Sequence, residues 1–255
     1  KLGIGCIEVG TVTPLPQYGN DRPRIFRIDS KNLVNAMGFP SDGAELVFKQ
    51  IMIFRSHINS TLPIWINLGK QRDTPIANAA SDYKLLIKKF AGVADALVIN
   101  ISSPNTADLR LLQQDAYLAN LLSELNFARN NVRKTCPLLL KVSPDESLEF
   151  YQKLPALLKK HNWQGIIATN TTARHAHGKG GLSGVDLFQK SFEVAKILSP
   201  LCEDAKLDFV YVGGLSNSDQ MQKLRALPIR FFQLYTAFIY QGPKSASTLL
   251  KYAGP

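Results

Sequence analysis

The sequence predicts an α/β fold, a (β/α)8 (TIM) barrel of parallel strands, on three observations. Short β-rich apolar runs recur along the chain, and a helical pattern follows nearly every one, the alternation that right-handed βαβ units produce. The runs are continuously apolar instead of alternating, as parallel strands covered on both faces require. Polar residues gather where the runs end, and in barrel enzymes the C-terminal rim of the strands carries the chemistry.

Each run can be justified in turn. Cys6–Val9 leads to Thr11 and Thr13. Ile64–Asn67 ends on an amide, and a helix is expected over Ser81–Ala91. Ala96–Ile99 is followed by Asn100 and Ser103, then by a helical pattern over Ala116–Asn130. Leu138–Val142 carries Lys141, with a helix over Leu148–His161 and Asp145 placed to cap it. Gly165–Thr169 runs into Asn170 and Thr171, with a helix over Leu187–Ser199. Phe209–Val212 ends on Gly213-Gly214, and Ser216 or Asn217 is placed to cap a helix over Ser218–Ala226. Phe231–Leu234 ends on Tyr235-Thr236. That makes seven strands, where a closed barrel of about 250 residues has eight. A doubly wound open sheet is the rival, but no G-x-G-x-x-G signature is present.

Composition excludes several classes. Of 255 residues, 45% are hydrophobic and 20% charged, which fits a packed globule and not a disordered or collagenous chain. No apolar run approaches the roughly 18 residues of a membrane span, and the start at Lys1 lacks the pattern of a signal peptide. Cys6, Cys136 and Cys202 are far apart and form no C-x-x-C or Cys/His cluster, so buried reduced thiols are expected. The formal charge of +10 suggests an anionic partner: nucleic acid, an acidic membrane surface or a phosphorylated ligand. The richest basic stretch, Arg22–Arg27, reads as a solvated loop.

The rim itself is rich in amides and poor in acids and histidines. Asn35, Asn67, Asn100, Asn105 and Asn170 each offer a donor and an acceptor, a set suited to a flat heterocycle such as a pyrimidine or an isoalloxazine. It does not suit a metal, which wants His, Cys or carboxylate clusters, and His57, His161, His175 and His177 fall in helices or loops. Gly180–Gly184 and Gly213-Gly214 read as Gly-rich turns of a phosphate cradle, with Tyr235-Thr236 nearby. Lys141 ends an apolar strand, where a charge is costly unless paired. It is suited either to stabilising a reduced flavin or to an ion pair inside the barrel.

These residues resemble a known family. Asn100-Ile101-Ser102-Ser103-Pro104-Asn105-Thr106 is similar to the catalytic-loop motif of class 2, quinone-dependent dihydroorotate dehydrogenases. Glu8–Pro14, Asn35–Phe39, Leu140–Asp145, Ala168–Thr172, Gly180–Gly184 and Tyr235-Thr236 match further motifs of that family in the same order, over essentially the whole chain. Class 1 enzymes carry Cys at the position of Ser103, so the serine implies the membrane-associated class, with FMN as redox cofactor and a quinone as oxidant.

The resemblance implies roles residue by residue. Thr11, Asn67, Asn100, Lys141 and Thr169 would contact the flavin and its ribityl chain; Gly184, Gly214, Tyr235 and Thr236 would hold the FMN phosphate. Asn35, Ala36, Met37, Gly38 and Phe39, with Asn100, Asn105, Asn170 and Thr171, would bind dihydroorotate. Ser103 would be the catalytic base, Thr106 its relay hydroxyl and Phe39 a water-excluding lid. The family's first strand, its Gly-Phe-Asp-Lys segment and a pair of membrane-docking helices would precede Lys1, so residues 1–255 are expected to be one N-terminally incomplete FMN-binding domain. The expected partners are dihydroorotate or orotate, a membrane quinone and a membrane surface met through that preceding segment, with no nucleic acid and no metal, in a monomer. The expected location is the cytoplasmic face of a bacterial inner membrane, with a mitochondrial inner membrane as the alternative. Two departures stand out: the Thr172–Gly180 loop is short, and Ala226–Arg230 replaces a Gly-rich approach to the last strand. The rivals are another FMN barrel, of dihydropyrimidine dehydrogenase or dihydrouridine synthase type, and a catalytically dead scaffold.

Overall fold

The computed structural model describes residues 2–58 and 61–252. In chain order the elements are β1 (Ile7–Val12), β2 (Ile25–Arg27), β3 (Asn32–Asn35), α1 (Ala44–Ile58), β4 (Ile64–Leu68), α2 (Ala79–Phe90), β5 (Ala96–Asn100) and α3 (Asp115–Asn130). There follow β6 (Leu138–Val142), α4 (Leu148–Lys160), β7 (Gly165–Ala168), β8 (Gly181–Gly184), α5 (Phe188–Ala205), β9 (Asp208–Tyr211), α6 (Ser218–Arg225), β10 (Phe231–Phe232), α7 (Thr236–Gln241) and α8 (Ser245–Leu250).

All seven expected runs form strands, and they pair in parallel in the order β1-β4-β5-β6-β7-β9-β10. The sheet is curled. Glu8 on β1 and Lys141 on β6 meet at 2.8 Å, although three strand spacings separate them, about 14 Å in a flat sheet. Trp65 on β4 and Phe231 on β10 approach with ring centroids 6.3 Å apart. The described residues thus form a half-barrel of seven parallel strands. The central strands are the apolar ones for a physical reason: β5 and β7 are buried throughout, whereas β1 and β10, at the edges, are only partly covered.

Period-two alternation along the strands sorts the side chains. Leu97 and Ile99 point outward into the main core under the helices, while Ala96, Val98, Leu139, Ile167 and Val210 fill the bore. One step further along the same inward rows come Asn100 and Lys141, which lie opposite each other in register, so the strand pattern itself delivers polar groups to the C-terminal mouth. On α2, Tyr83, Leu86, Ile87 and Phe90 form the buried helical stripe, and the Tyr83 hydroxyl donates to the Asn100 carbonyl at 2.9 Å.

Several expectations need correction. Gly181–Gly184 is not a turn but strand β8, in a small antiparallel sheet ordered β2-β3-β8. Part of the Arg22–Arg27 stretch is β2 of that sheet, and Arg24 and Arg27 stack on the rings of Tyr18 and Tyr240. Asp145 does not cap α4; Ser147 does, accepting from the Phe150 N–H at 3.1 Å, because Asp145 is occupied by basic side chains. For α6 the cap is Asn217, which accepts from the Gln220 N–H. The apolar Ala226–Arg230 approach has a structural role: Leu227 and Ile229 pack on the main core, and Phe231 closes the foot of the bore against Trp65. Cys6, Cys136 and Cys202 are free, and burial pushes each thiol up, Cys202 to about 12. His161 follows the last turn of α4 and His175 and His177 lie in the loop after β7; the His57 side chain is outside the described residues.

Candidate active site

Two amide clusters stand at the mouth of the half-barrel. In the first, Thr11 Oγ1 donates to Asn67 Oδ1 at 2.7 Å, and Asn100 Nδ2 reaches Asn67 Oδ1 at 3.1 Å and Thr11 Oγ1 at 3.3 Å. Ser102 Oγ donates to Asn100 Oδ1 at 3.0 Å and accepts from Asn170 Nδ2 at 3.0 Å. In the second, Asn105 Nδ2 donates to the Asn35 carbonyl at 2.9 Å and to Asn35 Oδ1 at 3.1 Å. Asn20 Nδ2 ties Ala36 O and Asn105 O together. The loop after β5 joins the clusters, and Ser103 sits on it, 5% exposed, with its Oγ accepting the Asn105 N–H at 3.2 Å.

Three hydroxyls in this region, Thr106 Oγ1, Thr169 Oγ1 and Thr171 Oγ1, are buried without a hydrogen-bond partner among the described residues. A buried polar atom left unpaired costs about 1–3 kcal/mol, and such atoms in a mouth lined by amides mark where a polar ligand belongs. Phe39 is buried at φ 54°, with Gly38 also at positive φ. A Cβ on Gly69 would sit 2.9 Å from the Phe39 ring, so the glycine leaves room for that ring. Met37 and Ala36 lie on the same turn.

Beneath the amides lies a charged layer. Glu8 accepts from Lys141 Nζ at 2.8 Å, Asn67 Nδ2 at 2.7 Å and Gln233 Nε2 at 2.7 Å. Burial pushes its carboxyl up, but the Lys141 charge and the three hydrogen bonds outweigh that and hold it below the usual carboxylate range. Lys141 is therefore ion-paired inside the barrel, one of the two roles its position suggested.

The late glycines converge too. A Cβ on Gly214 (φ 74°) would lie 2.5 Å from Phe188 N and 2.6 Å from Gly184 O, and one on Gly184 (φ 105°) 2.2 Å from Lys31 O. Ser191 Oγ and the Tyr211 hydroxyl both donate to Gly213 O at 2.7 Å and fix that turn. Thr236 Oγ1 donates to Ser183 Oγ at 2.9 Å, which brings the start of α7 to the end of β8; Tyr235 beside it is exposed. Glycine backbone, a hydroxyl and an exposed ring on these segments suit a phosphate-bearing ligand, and the unpaired Thr169 hydroxyl lies at the end of β7 between this region and the amides.

Comparison with known proteins places this geometry. A family model for dihydroorotate dehydrogenase matches residues 1–252. A quinone-type dihydroorotate dehydrogenase of Thermus thermophilus is 42% identical over 258 residues, covering 98% of this chain and 72% of that protein. The chain belongs to the dihydroorotate dehydrogenase family. The quinone-type dihydroorotate dehydrogenase of Coxiella burnetii is 38% identical over 264 residues and 75% of its length. The crystal structure of a dihydroorotate dehydrogenase from Eimeria tenella in complex with ferulenol superposes with a TM-score of 0.90 at 30% identity, over 99% of this chain and 75% of that one. Dihydroorotate dehydrogenases are flavin-dependent. Among the described residues no helix is long and apolar enough to cross a membrane.

Sequence reasoning assigns no site role to Glu8, Gln233, Asn20 or Arg110, and offers Asp145 only as a helix cap. Glu8 carried the signal already applied to Lys141, a charge within an apolar strand. Arg110 and Asp145 carried none, because their partners are backbone carbonyls and side chains from distant loops.

Proposed function

We propose that this chain is an FMN-binding catalytic domain that oxidises (S)-dihydroorotate to orotate, with a membrane quinone as final oxidant, in de novo UMP biosynthesis. The observation that carries the reading is the loop after β5, which places a buried serine hydroxyl between two amide clusters able to grip both edges of a pyrimidine ring. FMN, when bound, would supply the hydride acceptor and the route by which the electrons pass on to the quinone.

The chain's own residues do the rest. Ser103 Oγ takes the proton from the carbon alpha to the ring carbonyl, and Thr106 relays it onward. A serine is a weak base in water, so a dry and preorganised site is needed, which the burial of Ser103 and the Phe39 lid supply. Asn35 and its turn to Phe39, with Asn100, Asn105, Asn170 and Thr171, hold the substrate ring and polarise its carbonyl as enolate charge develops. Thr11, Asn67, Asn100, Lys141 and Thr169 hold the flavin and its ribityl chain. Gly184, Gly214, Tyr235 and Thr236 hold the phosphate.

The protein is proposed to be a monomer that sits peripherally on the cytoplasmic face of a bacterial inner membrane, or on a mitochondrial inner membrane, through a segment preceding Lys1. The net charge of +10 suits an acidic lipid surface. The Ser103→Ala variant tests the chemistry: FMN stays bound and most turnover is lost. Near-normal stopped-flow flavin reduction by dihydroorotate in that variant would sink the assignment.

A further inference from the structure

Arg110 lies on a single 3-10 turn, Leu109–Gln113, that follows the Ser103 loop. Its guanidinium makes three bonds in three directions. Nε donates to the Ser102 carbonyl at 3.0 Å, one terminal nitrogen to the Thr171 carbonyl at 3.1 Å, and the other to Asp145 Oδ2 at 2.8 Å. Ser102 immediately precedes Ser103, and Thr171 immediately follows Asn170. One rigid fork therefore ties the backbone of the base loop to the backbone of the loop after β7.

Asp145 is fixed in its turn. It is buried in the middle of the β6–α4 loop and accepts from Thr172 Oγ1 at 2.5 Å, from the Ala173 N–H at 2.8 Å and from Lys190 on α5. Arg174 donates to the Asp145 carbonyl at 2.7 Å. A guanidinium holds its donors in one plane at set angles, so the Ser103 loop cannot shift against the Asn170–Thr171 loop without breaking a charge-assisted bond.

We propose that Arg110 is a positioning residue for proton abstraction: held by Asp145, it sets the distance between Ser103 and a ring bound by Asn170 and Thr171. This rests on Ser103 as the base. Misplacement of reacting groups by about 1 Å costs on the order of 10²-fold in rate, and that is the loss expected for Arg110→Ala.

A double-mutant cycle in the full-length, FMN-loaded enzyme tests it, with the limiting rate of flavin reduction by dihydroorotate as readout. In the wild-type background Arg110→Ala slows reduction by about 10²-fold, while flavin content and orotate affinity change far less. In the Ser103→Ala background the same substitution has almost no further effect, because a residue that acts through the base has nothing left to position. Equal losses in both backgrounds overturn the inference and leave Ser103 standing, whereas a fast Ser103→Ala enzyme overturns the reading of the base itself. Where Arg110→Ala loses its flavin, Arg110→Lys carries the test. It keeps a cation beside Asp145 but has one nitrogen for three acceptors, so an intermediate loss confined to the Ser103 background is expected, and a wild-type rate overturns the inference.

Discussion

Replacing Glu8 with glutamine tests whether the charged layer under the amides holds the half-barrel together. Glu8 on β1 binds Asn67 on β4, Lys141 on β6 and Gln233 beyond β10, so one carboxylate links four segments across the bore. Removing one partner of a buried ion pair costs about 3–5 kcal/mol, because the other charge is left uncompensated. Glutamine keeps the shape and an oxygen for Lys141 and Asn67, which share Glu8 Oε1, but it removes the charge and its NH2 meets the Gln233 donor. The lower end, about 3 kcal/mol, is therefore expected. For a chain of this size roughly 2 °C of melting temperature accompany each kcal/mol, which gives a fall of about 6 °C. Thermal unfolding followed by circular dichroism on the flavin-free protein reads this directly. Adding Lys141→Met recovers most of the loss, since a pair removed whole is nearly neutral. A melting point unchanged in Glu8→Gln, or a double variant worse than the single one, would refute the reasoning.

Two more outcomes follow from the geometry. Burial raises the Asp145 carboxyl, but bonds from Lys190, Thr172, Ala173 and Arg110 outweigh it and bring it from 3.8 to about 2. A folded value below the ordinary one stabilises the fold above pH 3.8, and the contribution, about 2 kcal/mol, is lost as pH falls toward 2. Between those limits the wild type loses stability more steeply than Asp145→Asn, as urea midpoints at several pH values will show. For Gly214→Ala, the added Cβ meets Phe188 N and Gly184 O inside 2.7 Å at a φ of 74°; with roughly 1–3 kcal/mol of strain on that turn, the purified variant is expected to lose most of its FMN, read by absorbance and by FMN titration.

Much of this was legible in the sequence because parallel strands covered on both faces must be apolar, and Cys6–Val9 through Phe231–Leu234 obey that rule. Asn67, Asn100 and Asn170 were legible as well, since each falls at the end of such a run. The small sheet was not: Ile25–Arg27, Asn32–Asn35 and Gly181–Gly184 are short, and the middle strand, Asn32–Asn35, pairs with a strand far along the chain, so no local pattern announces them. Glycines at 180–184 read as a turn because their flexibility suggests one, yet the strand needs them small: a Cβ on Gly181 would lie 2.0 Å from Thr171 Oγ1. Asp145 looked like a helix cap from its spacing, and only the fold reveals that Arg110 and Lys190 converge on it. Seven strands and three of the five rim asparagines come from local pattern; the charged clamps come from tertiary contact.

The proposed site oxidises dihydroorotate through a bound flavin and passes the electrons to quinone. Anaerobic mixing of the FMN-loaded full-length protein with dihydroorotate tests it most directly. The account predicts that the visible flavin band bleaches as orotate forms, and that a ubiquinone analogue restores the band. A flavin that stays oxidised in the presence of dihydroorotate would contradict it.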